Sequence, residues 1–139
     1  MSGNIDRTEV EKVLVNEFLA FRHLFDLGRV DIRRSKNITS IYLVGRNALE
    51  LEIDWHENAL FMYVVHLING KIPSDDVIYK YDDGIWCRIY IDEIYKQKNP
   101  IYQSKKRMSS CILFELFQYY KRLIESNPSM LYPYFESME

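Results

Sequence analysis

Apolar residues at Val10, Val13, Leu14, Phe18, Phe21, Leu24 and Phe25 recur at steps of three and four, the period of one buried stripe on an α-helix. Thr8 and Glu11 have the spacing of a capping box, and Gly28 is placed to end the helix in a left-handed conformation. From Arg29 to Leu67 the period changes to two. Thr39, Ile41 and Leu43 oppose Ile38, Ser40, Tyr42 and Val44, and then Leu49, Leu51 and Ile53 alternate with Glu50, Glu52 and Asp54. Strict alternation predicts strands with one face in a core. Gly45-Arg46-Asn47 and His56-Glu57-Asn58 read as turns, and a more continuously apolar strand follows from Ala59 to Leu67. Ile32 to Ser35 is a candidate for one further strand ahead of these.

Asn69-Gly70-Lys71 and Pro73 mark a loop. Beyond it, Val77 to Tyr81 and Ile85 to Ile91 flank Asp82-Asp83-Gly84, a hairpin signal. Asn99-Pro100 breaks the chain before a long helix predicted from about Ser104 to Glu125. Its polar positions Glu115, Gln118, Arg122 and Glu125 form a single narrow stripe. A helix apolar around most of its girth packs centrally. Asn127-Pro128 stops it, and Met130 to Phe135 carries enough aromatic surface to dock. The expected fold is α+β: an antiparallel sheet of five or six strands flanked by an N-terminal and a C-terminal helix, as a single domain over residues 1–139. Both helices are expected on one sheet face, with Phe18, Phe21, Leu116 and Leu123 in the core and the other face partly open.

The length of 139 residues suits one domain, and 47% apolar with 27% charged residues is ordinary globular composition. Neither Ala59–Val65 nor Cys111–Phe114 approaches the roughly 20 apolar residues of a membrane span. Met1 to Asp6 shows no signal-peptide pattern, so a cytoplasmic protein is expected. Cys87 and Cys111 sit in apolar runs without paired spacing and read as buried thiols.

The chain contains no phosphate loop, no nucleophile elbow and no zinc-protease helix motif. His23, His56 and His66 have no metal-ligand spacing with one another or with the cysteines, so neither metal nor cofactor is expected. Asp54, His56 and Glu57 could combine a carboxylate with an imidazole as a general base, yet a strand–turn junction collects such residues anyway. Catalysis is therefore the weakest of the functional readings.

Charge changes the picture more than motifs do. The net charge is −2, but ten acids oppose three bases between Asn47 and Glu93, a local −7. The flanking stretches Arg29–Arg46 and Lys96–Arg122 carry +4 and +6. Fields of one sign steer encounters with a partner of the other sign. Tyr79, Tyr81, Trp86 and Tyr90 lie in the acidic stretch and supply stiff contact area. The sequence pI near 5.9 and the lack of a nucleic-acid motif disfavour direct nucleic-acid binding.

The stretch Ile41 to Ile53, the stretch Arg88-Ile89-Tyr90-Ile91-Asp92-Glu93-Ile94-Tyr95, and the Ile-, Lys- and Tyr-rich acidic layout of the whole chain resemble the small cytosolic immunity proteins of bacterial toxin systems. The resemblance implies a protein-binding inhibitor of a cognate toxin domain, and an acidic surface suits a basic toxin such as one that cleaves nucleic acid. The charge map assigns partner contact to Glu50, Glu52, Asp54, Trp55, Glu57, Asp82, Asp83 and Trp86, with the three strand carboxylates projecting together from an open face. A small adaptor subunit acting through oligomerisation, a homodimer included, is the alternative from a different functional class.

Overall fold

A computed structural model describes residues 7–73, 88–97 and 110–135. The fold is α+β, with a five-stranded antiparallel sheet and helices at the N- and C-terminal regions. The strands are β1 (Arg29–Arg34), β2 (Ile38–Val44), β3 (Ala48–Asp54), β4 (Ala59–Val65) and β5 (Arg88–Tyr90), hydrogen-bonded in chain order. The helices are α1 (Arg7–Phe18), α2 (Arg22–Phe25), α3 (Ile91–Tyr95), α4 (Ser110–Ser126) and α5 (Tyr132–Phe135).

The N-terminal helix tightens into a 3-10 turn over Leu19–Phe21 before α2. It ends at Asp26, in the left-handed region at φ 54°, rather than at Gly28 as the sequence suggested. The Leu27 N–H reaches back to Arg22 O at 3.0 Å and satisfies a terminal carbonyl. Aspartate tolerates the left-handed conformation better than most residues, so the helix closes before the glycine is reached. Gly45, in the β2–β3 turn, is closely approached: a Cβ there would lie 2.8 Å from Leu27 Cδ2 and 3.1 Å from Asp26 O, so a larger residue would make Leu27 shift.

Alternation along β2 and β3 divides the side chains as the sequence predicts. Ile41, Leu51 and Met62 sit in register across three strands, as do Tyr42, Glu50 and Tyr63 on the other face. The first face carries Leu43, Leu49, Ile53, Leu60 and Val64 into one core with α1 and α4. Phe21 packs there against Phe18 and Phe117, with ring centroids 6.0 and 6.2 Å away. Phe18, Phe21 and Leu116 are buried, while Leu123 is half-buried against the same core. The C-terminal tail docks: Leu131 and Phe135 are buried, and Phe25 meets both Tyr132 and Phe135. Asn47 ties this end together, donating to Tyr134 O and accepting from Leu67 N–H.

Two expectations change. A whole strand, β1, pairs with β2 from Arg29 onward, earlier and longer than the candidate at Ile32 to Ser35. Ile91 opens helix α3 rather than ending a strand, because its side chain enters the first-face core and Asp92 and Glu93 occupy the helix's first turn. The second sheet face, expected to be partly open, is filled at one end: Tyr42, Val44, Ala48, Tyr63 and Val65 form a second buried cluster with Leu67 and Ile72. Asn69 and Gly70 both have positive φ, which turns Ile68–Lys71 tightly. Arg33 then donates to Ile72 O and Pro73 O at 3.1 and 2.8 Å, holding that segment beside β1. The hairpin predicted around Asp82-Asp83-Gly84 lies outside the described residues, as does the predicted start of the last helix before Ser110.

Truncating Phe21 removes a ring that is buried among other rings. Phe21→Ala is expected to cost about 3–5 kcal/mol in denaturant unfolding; a loss under about 1 kcal/mol would mean that this helix face does not carry the core.

Candidate functional site

The carboxylates that alternate along β3 do share one face, and a cation of the same chain meets two of them. Arg88, at the start of β5, places Nε 2.9 Å from Glu50 Oε1 and Nη2 2.9 Å from Glu50 Oε2. The same Nη2 lies 3.2 Å from Glu52 Oε2, and the Tyr63 hydroxyl donates to Glu52 Oε1 at 2.7 Å. The guanidinium sits 3.5 Å from the Tyr63 ring centroid, stacked on its face. Side chains of Glu50 and Arg88 are 1% and 6% exposed. The forked, bidentate geometry is what guanidinium and carboxylate planes favour.

Burial dominates the electrostatics here. It pushes the Glu50 carboxyl above its ordinary value, while the hydrogen bond and charge of Arg88 pull it back. Burial alone would lower the Arg88 guanidinium, but Glu50 outweighs it, helped by Tyr63 and Glu52, and Arg88 is held above its ordinary value. The Tyr42 and Tyr63 hydroxyls are pushed up by burial as well. Arg88 thus serves both carboxylates from a buried position, its fork on Glu50 and one nitrogen shared with Glu52.

That arrangement corrects the expectation of three exposed carboxylates awaiting a basic surface. Glu50 is sequestered, Glu52 is shared between Arg88 and Tyr63, and Asp54 is half-buried at the end of the strand, where its Oδ1 accepts the Glu57 N–H at 3.0 Å. Trp55 is also no surface anchor: it is buried in the main core, donates from Nε1 to Thr39 Oγ1 at 2.9 Å, and lies under the Arg7 guanidinium. Glu57 is exposed, 3.6 Å from an imidazole of His56 that is itself 73% exposed. Asp54, His56 and Glu57 are thus brought together as a turn on the surface. The cleft along the N-terminal helices is lined by Asn16, Leu19, Arg22, His23 and Asp26 and includes none of them. Asp82, Asp83 and Trp86 lie outside the described residues, and so does Cys87. Among the described residues, no three His, Cys, Asp or Glu side chains are grouped to hold a metal ion. No described helix is long and apolar enough to cross a membrane.

Beyond the filled end, the second face stays half-open. Ile38, Glu52, Asp54, Ala59 and Phe61 are all partly exposed there. At its margin Tyr90 is 43% exposed while meeting Tyr63 at a tilt, ring centroids 4.6 Å apart, and Phe61 edge-on at 6.1 Å. The sequence named Tyr90 among its contact aromatics. It gave no sign of Phe61, because that residue reads as one more apolar position in a continuous run, nor of Arg88 as the counter-ion across two strands.

No family model matches the chain, and neither does a curated protein or a solved structure.

Removing the cation strands a buried charge. Arg88→Ala is expected to cost about 3–5 kcal/mol at neutral pH. The deficit should shrink on acidification, because a neutral Glu50 no longer needs a counter-ion. A loss in denaturant melts below about 1 kcal/mol, or one independent of pH, would contradict the pairing.

Proposed function

We propose that this chain is a protein-binding inhibitor, of the kind the resemblance to immunity proteins implies, that neutralises a basic toxin domain through the half-open end of its second sheet face. The observation that supports the reading is the Tyr90–Phe61 aromatic pair, exposed at one edge and flanked by Glu52, Asp54 and the Glu57 turn. Aromatic anchors bordered by charge carry much of the energy of protein interfaces. The neighbouring row of the sheet offers a physical precedent: there Tyr63 and Glu50 hold a guanidinium by stacking and ion pairing, with Glu52 reaching it from the adjoining row. A basic partner would find similar chemistry one row along, where Glu52 faces Phe61 and Asp54 faces Ala59. Catalysis by Asp54, His56 and Glu57 has less support, since Asp54 accepts the Glu57 N–H to close a turn on which His56 and Glu57 lie exposed.

The partner of choice for the test is a toxin domain encoded beside this chain's gene, with association followed by stopped flow at low and high ionic strength. Asp54→Lys combined with Glu57→Lys is expected to slow association about tenfold or more at low salt and far less at high salt. Tyr90→Ala should act on dissociation, by about 2 kcal/mol or roughly 30-fold in affinity. His56→Ala should leave binding unchanged. On-rates and off-rates unaltered in folded variants would sink the reading, and a stable homodimer buried at this face would favour the adaptor instead.

A further inference from the structure

β1 pairs with β2 along its whole length, and among the described residues no strand pairs with its other side. The Ser35 N–H donates to Ile38 O at 2.9 Å and closes the β1–β2 hairpin. An antiparallel ladder alternates residues that exchange backbone bonds with residues that do not. Counting back from Ser35 therefore commits Arg33, Asp31 and Arg29 to β2, and Val30, Ile32 and Arg34 aim their N–H and C=O groups outward. Such an edge is a template for another strand unless it is short, interrupted by proline or guarded by charge. β1 runs six residues without a proline. Its apolar side chains are incompletely covered: Val30 is 36% exposed, and Ile32 is half-buried against the main core.

The charges of β1 select which strand can join it. On the second sheet face, Arg29, Asp31 and Arg33 alternate along the strand. An acid between two bases repels an unrelated basic edge and is complementary to a copy of itself running the other way. We propose that two copies of this chain join edge to edge along β1, antiparallel, about a twofold axis at Ile32. In that register Ile32 exchanges both backbone bonds with Ile32 of the second copy, and Val30 exchanges its own with Arg34 of the second copy. Asp31 then stands opposite Arg33 of the second copy, at the closely spaced sites where cross-strand side chains meet. Neutral groups, Ile72 O, Pro73 O and the Tyr42 ring, hold the Arg33 guanidinium on this face, and a carboxylate adds to them. Arg34 is ion-paired to Glu11 of its own chain, and its stem lies beside Val30 of the other copy. A twofold axis at Arg34 would instead oppose two arginines, and one at Val30 would engage a shorter stretch of strand. The turn at Lys36 passes Gly28 of the second copy, where there is room: a Cβ on Gly28 would meet nothing within 4 Å. β1 and β5 are first and last in the sheet, so the junction leaves both Tyr90 surfaces free and does not depend on what they bind.

The wild-type chain tests this by sedimentation equilibrium and amide hydrogen exchange at rising protein concentration. The mass should move toward that of two chains, and protection of the Val30, Ile32 and Arg34 amides should rise with it. Asp31 and Arg33, bonded to β2, should stay protected throughout. Val30→Pro removes an outward N–H at an exposed edge position, so the monomer should fold while dimerisation weakens about tenfold or more. Asp31→Arg should weaken it by a similar factor. Mixing that variant with Arg33→Asp should restore association, because both cross-strand pairs are then again of opposite sign. A chain that stays monomeric overturns the proposal, as does a dimer whose Val30, Ile32 and Arg34 amides exchange as freely as in the monomer. So does a mixture of the two folded charge variants that fails to associate.

Discussion

The ion pair between Arg88 and Glu50 is the interaction on which the second half of this fold depends. A carboxylate in the middle strand of a sheet, 1% exposed, is stable only if something neutralises or hydrogen-bonds it. Arg88 does both, and it comes from β5, which among the described residues is held in register by Tyr63, Val64 and Val65. The guanidinium adds contacts that cross β4 to β3 and lie flat on the Tyr63 ring, so the charge pair and the strand pairing support each other.

The consequence is a sheet face with two unlike ends. Toward Val44, Ala48 and Val65 the segment carrying Leu67 and Ile72 seals the face, and Arg33 pins that segment by its carbonyls. Toward Asp54 and Ala59 the strands run out from under this cover, and acids alternate with partly exposed aromatic and aliphatic groups. The boundary between the two ends is Arg88 with its partners. Tyr90, two residues on, shares a face with it and leans over the half-open end. Whatever steadies β5 and α3 therefore also steadies the exposed ring.

The sheet was legible because it obeys local rules. Alternation over Leu49–Asp54 and the turn residues after Val44 and Asp54 mark strand, face and reversal without any long-range information. The stripe of α1 and the apolar girth of α4 were legible for the same reason. What escaped was set by distant partners. Nothing near Glu50 in sequence distinguishes it from an exposed glutamate, since its counter-ion is Arg88, 38 positions away. Trp55 looked like an interface residue until Thr39 on the neighbouring strand supplied its acceptor. Ile91 fits an alternating strand as well as it fits a helix start, and only the core waiting beneath it decides. Of the candidate site, the acids of the Asp54–Glu57 corner and the presence of Tyr90 could be read in advance. The sequestering of Glu50 could not, because charge patterning counts acids without knowing which are already matched.

The central claim is that Glu50, in the middle of the acidic strand, is neutralised from within, by Arg88. A double-mutant cycle on Glu50→Gln and Arg88→Met, measured by denaturant unfolding at neutral pH, isolates the term that belongs to the pair. A coupling energy of about 2 kcal/mol or more is expected for charges this buried and this well aligned. Additive losses, with coupling near zero, would mean that Glu50 and Arg88 are stabilised separately and that their pairing does not fasten β5 to the sheet.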